Sequence, residues 1–326
     1  QDSAAKVLIV SKPSMLAEVM EVRQNLDQLQ QIVLMDPDDP LNTPNDIMSF
    51  QNLLDLGANY KAKHEGKLRE LYTKAKEDDL VSFVYTSGTT GNPKGVMLSH
   101  KNFLSNVKST SSVVEVEPHW IALSFLPLSH VLERMAGYYL ILYNGGTIAY
   151  AEGVNEVVKN LPEIKPHVMV SVPRLYEKMY AGILNKIDEG SSFKKKMFLW
   201  AVEVGKEWFY THLERKNPSA SLRIKHSIAD RLVYSKLRDL TGGRLRFFVS
   251  GGAALAKDIN EFFHAIGLPI LEGYGLTETA PLIAGAVHPN TFLQSTGPVM
   301  KGIEVRLADK NPETGIGELQ VKTPCI

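Results

Sequence analysis

Short apolar runs, each bounded by turn residues and separated by stretches of helical length, confine this 326-residue chain to a narrow set of folds. The runs fall at residues 6–10, 31–35, 81–85, 122–125, 147–150, 168–171, 245–250 and 269–274, and are rich in Val, Ile and Phe. Helical patterns lie between them, at 46–64, 101–114, 131–143, 154–161 and 256–266. Strands that are apolar throughout are buried on both faces, as in parallel sheets covered by helices. The expected fold is therefore α/β, with mostly parallel sheets flanked by helices.

Two regions break the rhythm. Residues 182–243 carry no convincing strand and read as a long helical insertion, with Phe193, Met197, Trp200, Ala201, Val204 and Trp208 on one helix face. From residue 296, strand-like runs at 303–308 and 317–322 flank a turn-rich segment, which reads as the start of a small antiparallel β subdomain. The expected division is a core over 1–295 and the beginning of a β subdomain over 296–326.

Charge and cysteine content exclude several function classes. Lys and Arg total 36 against 36 Asp and Glu, so no global field draws the chain to nucleic acid. One cysteine, Cys325, rules out an internal disulfide framework and a thiolate metal cluster, and fits a reducing, cytoplasmic setting. The longest strongly apolar stretch, 135–143, is far short of the roughly 20 residues that span a bilayer. The insertion has twelve Lys/Arg against seven Asp/Glu, an excess of five (12 − 7), beside Trp200, Trp208 and Phe209. Two readings follow: a peripheral contact with an anionic membrane, or a buried apolar stripe with a solvated opposite face, the latter favoured. The first residues lack a Met and run at once into a strand pattern, and the last follow one directly, so the sequence reads as a fragment.

The chemistry concentrates in three glycine-bearing turns. The first, Thr86, Ser87, Gly88, Thr89, Thr90, Gly91, Asn92, Pro93, Lys94 and Gly95, follows a buried strand. Glycines let backbone N–H groups turn toward an anion, hydroxyls add donors, and Lys94 compensates charge; a polyphosphate needs this combination. It is not the P-loop of ordinary nucleoside triphosphatases, because Pro93 stands where that pattern demands glycine and Gly95, not Ser or Thr, follows Lys94. The second turn, Ser250, Gly251, Gly252 and Ala253, joins a strand to a helix and allows a ligand close to the backbone. The third is Glu272, Gly273, Tyr274, Gly275, Leu276, Thr277 and Glu278. Here Glu278 replaces the last glycine of a dinucleotide fingerprint. A carboxylate facing a pyrophosphate repels it unless a cation intervenes, which makes Glu278 a candidate Mg²⁺ ligand. Between these turns His130 follows Phe125, Leu126, Pro127, Leu128 and Ser129 at a strand-to-helix junction, where a histidine is more often a cap or a packed ring than a catalyst.

The three motifs, in this order, resemble the adenylate-forming superfamily, which contains acyl-CoA synthetases, luciferases and peptide-synthetase adenylation domains. The resemblance implies that Thr86, Ser87, Gly88, Thr89, Thr90, Gly91 and Lys94 hold the β- and γ-phosphates of ATP. It places Gly251, Gly252, Ala253, Glu272, Gly273, Tyr274, Gly275 and Thr277 around the adenylate, with Tyr274 against adenine and Thr277 on the α-phosphate. It assigns Mg²⁺ to Thr86 and Glu278, sets His130 beside the acyl carboxylate, and makes Lys94, Thr277, Glu278 and His130 the catalytic set. The segments 172–178 and 229–237 and the helical insertion are similar to long-chain fatty acid–CoA ligases. The implied reaction converts a long-chain fatty acid and ATP to acyl-adenylate, and then, with CoA, to acyl-CoA. Alternatives are a ligase for a medium-chain, aryl or polyketide-type acid, or a non-catalytic nucleotide- or lipid-binding scaffold. The family's ribose-binding aspartate, hinge and mobile C-terminal domain with its catalytic lysine lie outside this sequence, so the fragment is expected to bind nucleotide weakly and to form little acyl-adenylate alone. Oligomeric state is not legible.

Overall fold

The structure is a computed structural model that describes residues 2–36, 46–86, 91–287 and 292–326. The chain divides into two compact units, residues 1–79 with 87–95, and residues 80–86 with 96–326.

In the first unit β1 (Val7–Val10) leads through α1 (Pro13–Val22) to β2 (Gln31–Leu34) and β3 (Ile47–Ser49), and the three strands pair in parallel in that order. Pro13 opens α1, where its missing N–H and fixed φ cost nothing. Residues 46–64 carry a helical pattern, yet the helix α2 begins only at Phe50 (Phe50–Lys63). Ser49 caps it by accepting from the Asn52 N–H, which leaves Ile47–Ser49 free to pair as a strand. α3 (Lys67–Lys74) follows. The core of this unit is small, formed by Val10, Leu16, Leu29, Ile32, Leu34 and Ile47.

The second unit begins with β4 (Leu80–Thr86), which forms a two-stranded sheet with β5 (Lys94–Ser99). α4 (His100–Ser111) starts with a reciprocal cap between Ser99 and Asn102. Next come β6 (Ile121–Ser124) and a helical segment over 131–143, π-helical from Glu133 to Tyr139 and ending as α5 (Leu140–Tyr143). β7 (Thr147–Tyr150), α6 (Val157–Ile164) and β8 (Val168–Ser171) follow. The expected helical insertion is α7 (Pro173–Asp188), α8 (Ser192–Leu213), α9 (Ala220–Ala229) and α10 (Ser235–Asp239). Then come β9 (Phe247–Ser250), α11 (Lys257–Ala265), β10 (Ile270–Gly275) and β11 (Leu282–Gly285), and last the antiparallel pair β12 (Glu304–Ala308) and β13 (Glu318–Lys322).

Six strands of this unit form one sheet in the order β11-β10-β9-β8-β6-β7, parallel throughout except for β11, which runs antiparallel at the edge. The period of two divides the strand residues between two cores. Leu123, Met169, Phe248 and Ile270 pack on one face against α6, α7, α8 and α11. Ala122, Val168, Val170, Phe247 and Leu271 pack on the other, against α4 and the 131–143 helix. Both faces are buried, which is why these strands read as unbroken apolar runs. Of the helical stripe, Met197, Ala201, Val204 and Trp208 pack into the first core, whereas Phe193 and Trp200 remain exposed. No described helix is long and apolar enough to cross a membrane.

Candidate functional site

The chain leaves β6 toward β7 on one side and later adds β8 on the other, so the order reverses between β6 and β8. In open parallel sheets the crevice outside the carboxyl ends, at such a switch, is where ligands bind. At the carboxyl ends here stand the His130 segment after β6, the Gly251 turn after β9, and the Gly273–Glu278 segment at the end of β10.

The three segments meet around Gly251. A Cβ added to Gly251 would lie 3.1 and 3.3 Å from the two methyls of Leu132 and 3.7 Å from the Gly273 carbonyl oxygen. The Gly251 backbone therefore lies alongside β10 and under the helix that follows His130, and any larger residue would crowd Leu132. Gly252 has φ +82°, a left-handed conformation that favours glycine, and its Cα faces open space apart from Val172 at 3.9 Å. At Gly275 a Cβ would sit 1.7 Å from the Pro281 oxygen, so only glycine fits. Beyond it Thr277, Glu278 and Thr279 form a single 3₁₀ turn, in which the Thr279 hydroxyl accepts from the Leu276 N–H at 3.0 Å.

Buried side chains hold these turns from behind. Asn106 on α4, 1% exposed, donates to the Leu282 carbonyl at 2.8 Å and to the Thr279 carbonyl at 3.2 Å. Glu272 is buried, and its carboxylate accepts from Asn260 at 2.9 Å and from the Leu255 N–H at 3.4 Å, tying β10 to the turn before α11. Neither asparagine was legible as a site support, because an isolated polar residue in a helical pattern reads as solvent-facing.

Between the second face of the sheet and the 131–143 helix lies a narrow slot with a cavity volume of about 60 Å³. Leu132, Met135 and Ala136 line it from the helix, and Val170, Val249, Leu271 and Gly273 from the strands. Its walls are almost wholly apolar. Two of its lining residues, Leu132 and Gly273, are also the neighbours of Gly251. The residue after Leu132, Glu133, is fully buried, its carboxylate has no hydrogen-bond partner among the described residues, and its pKa is pushed up to about 7 by burial, with the Ser124 hydroxyl a weaker opposing influence.

His130 is exposed; its Nδ1 accepts from the Leu132 N–H at 3.3 Å, so the ring caps the start of the helix and is not among the residues lining the slot. Gly252, Ala253, Tyr274 and Glu278 are exposed, and Thr86, Gly273, Gly275 and Thr277 half-buried, all in the second unit. Among the described residues the Glu278 carboxylate makes no hydrogen bond or ion pair, leaving hard oxygen donors free, as a magnesium ligand requires. Ser87, Gly88, Thr89 and Thr90 lie outside the described residues. Gly91, with φ +143°, and Lys94 are exposed and belong to the first unit.

Comparison with known proteins identifies the family. Residues 1–326 match the family model of AMP-binding enzymes. The chain is 36% identical over 262 residues to long chain acyl-CoA synthetase 6, peroxisomal, of Arabidopsis thaliana, covering 77% of this chain and 36% of that protein. It is 31% identical over 328 residues to the long-chain-fatty-acid–CoA ligase FadD15 of Mycobacterium bovis, covering 99% of this chain and 51% of that one. The chain thus spans about half or less of the length of these relatives. Among solved structures it resembles the anthranilate CoA ligase AuaEII in complex with anthranoyl-AMP, with a TM-score of 0.64 at 18% identity over 99% of this chain and 50% of that one. That likeness is one of fold. A parallel sheet with glycine turns at its carboxyl edge, matched from end to end by one family model, places the chain in the AMP-binding, adenylate-forming enzyme family.

Proposed function

We propose that the protein activates a long-chain fatty acid at the expense of ATP, forming acyl-adenylate and then acyl-CoA. The observation that carries this reading is the apolar slot whose lining residues Leu132 and Gly273 also neighbour the Gly251 turn, which suits an uncharged acyl chain next to the adenylate. In the first step the fatty acid carboxylate oxygen attacks the α-phosphorus of ATP, and the bond to pyrophosphate breaks. In the second the CoA sulfur attacks the acyl carbonyl and AMP leaves. An anion attacking a polyanion is slow mainly for want of positioning and charge neutralisation. Lys94 and the hydroxyls of the first loop neutralise the leaving pyrophosphate. Gly251, Gly252, Gly273, Tyr274 and Thr277 hold the adenylate. Thr86 and Glu278 would hold a magnesium ion, whose positive charge would offset that of the phosphates. His130, with its Nδ1 engaged by the helix start, orients the segment at the acyl carboxylate rather than moving a proton.

The names of the relatives in Arabidopsis thaliana and Mycobacterium bovis support the long-chain acid and CoA. The test is equilibrium binding of non-hydrolysable acyl-sulfamoyladenosines to this chain. Each buried methylene is worth about 0.8 kcal/mol, so the palmitoyl compound is expected to bind far more tightly than benzoyl or malonyl counterparts. Equal or tighter binding of the aryl compound would remove the long-chain reading. Adenylation by the chain alone is expected to be weak, and robust palmitate-dependent ATP–pyrophosphate exchange would overturn that expectation.

A further inference from the structure

Glu133 is a buried acid with no role in the chemistry above. It is 0% exposed, and among the described residues neither carboxylate oxygen has a hydrogen-bond partner. The carboxyl folds over its own helix onto Gly137: a Cβ there would lie 2.4 Å from Oε1 and 2.6 Å from Cδ, so the glycine is what makes room for it. Glu133 begins the π-helical stretch, and the residue before it is Leu132, whose methyls pack on the Gly251 turn and line the slot.

The groups around it do not compensate a negative charge. From β6 the Ser124 hydroxyl approaches, and from α7 Tyr176 lies close enough for the two to influence each other. The Tyr176 phenol donates to the Val249 carbonyl at 2.7 Å and is held neutral by burial. On Glu133's own helix, Arg134 turns away, donating to Ser82 at 2.7 Å and lying over the Phe103 and Tyr139 rings. His130 is engaged with the Leu132 N–H. An ionised carboxylate in this place would have to admit water or leave.

We propose that Glu133 is a positioning residue: its neutral carboxylic acid, wedged over Gly137, fixes the helix start that presses Leu132 onto the Gly251 turn, and ionising it loosens the wall shared by the acyl slot and that turn. The functional consequence rests on the acyl-slot reading, whereas the movement of the helix does not. The raised pKa places the transition near neutrality, so affinity in the slot depends on pH through a group that never touches substrate.

Two measurements on the whole chain decide it. In the first, palmitoyl-sulfamoyladenosine binding is followed for wild type, Glu133→Gln and Gly137→Ala. If only the neutral form is competent, wild-type affinity falls roughly thirtyfold between about pH 6 and about pH 8.5. Glu133→Gln stays flat, and Gly137→Ala, whose methyl displaces the carboxyl, binds weakly at every pH. In the second, amide hydrogen exchange in residues 131–143 is compared between wild type and Glu133→Gln over the same range, with intrinsic rates cancelling. Wild type is expected to lose protection relative to the variant by a similar factor. A wild-type profile that is flat, or that Glu133→Gln follows in parallel in the exchange measurement, overturns the proposal. Absence of analogue binding at every pH would instead remove the acyl-slot reading, and the exchange measurement would still decide the role of Glu133.

Discussion

Replacing Glu133 by Gln should change not only the site but the pH dependence of the whole second unit's stability. The folded state holds the Glu133 proton more tightly than the unfolded chain does, because burial raises its pKa from 4.5 to about 7. A raised acid pKa means that stability is full below the unfolded value and falls as pH rises through 4.5, levelling off above about 7. That difference corresponds to about 3 kcal/mol at alkaline pH. Glu133→Gln removes the term and adds a fixed cost of roughly 1–3 kcal/mol for an unpaired buried carboxamide. Wild type is thus the more stable near pH 4.5, and the gap closes or reverses by about pH 8. Urea denaturation followed by tryptophan fluorescence suits the measurement, since Trp120, Trp200 and Trp208 are the chain's 3 tryptophans and all belong to the second unit. Other groups titrate in the same range, but they titrate alike in both proteins, so the informative quantity is the difference between the two curves. A difference constant from about pH 4.5 to about pH 8 would refute the assignment of a strained, proton-holding carboxyl.

Two further perturbations separate the supports of the site. Gly251→Ala keeps an ordinary backbone conformation but pushes on Leu132, whereas Gly252→Ala meets open space with φ at +82°. The first is expected to weaken acyl-adenylate analogue binding with less than about 1 kcal/mol of stability lost, the second to cost about 1–2 kcal/mol through backbone strain; calorimetric binding and melting on the same samples would expose a reversed order. Asn106→Ala strips the Thr279 and Leu282 carbonyls of a buried donor, at a cost of about 1–3 kcal/mol. Because it loosens the turn bearing Glu278, it should also weaken Mg·ATP binding, and unchanged nucleotide affinity at reduced stability would show that turn to be held by other means.

How much of this was visible in the sequence follows from what each residue faces. The strands buried on both sides announced themselves as apolar runs, and their bounds are found within a residue or two. β3, β5 and β11 did not. β3 is three residues merged into a helical pattern, β5 opens with Lys94 and Gly95, and β11 ends in a glycine after a proline. Each is a strand by pairing rather than by propensity. The glycine turns were legible because backbone conformation demands glycine, as Gly252 and Gly275 demonstrate. The slot was not, since Leu132, Met135 and Ala136 read as ordinary core: apolarity does not distinguish a wall against protein from a wall against ligand. Glu133, followed by Arg134, reads as a charged pair on a solvated helix face. A π-helical stretch takes more residues per turn than the α-helix and so rotates that face out of the expected register, which sequence periodicity cannot foresee.

β10 shows how one strand serves both stability and substrate. Leu271, Glu272 and Gly273 line the slot and Ile270 packs into the opposite core, while the Glu272 carboxylate is tied to Asn260 and Leu255. Those bonds tie the buried carboxylate, and with it β10, to the turn before α11 and to α11 itself. Gly273 is the position where the two duties meet. A Cβ there would lie 2.9 Å from a methyl of Leu282, a flexible side chain that can yield, and its φ is not in the left-handed region. Gly273→Ala should therefore fold, with Leu282 displaced toward the slot it lines, so the damage appears in acyl-chain affinity rather than in melting temperature. Measured with palmitoyl- and acetyl-sulfamoyladenosine, the loss should be confined to the long-chain compound. Equal loss for both would mean that the methyl obstructs the adenylate instead, and that the slot's mouth is set by something other than the absence of a side chain at residue 273.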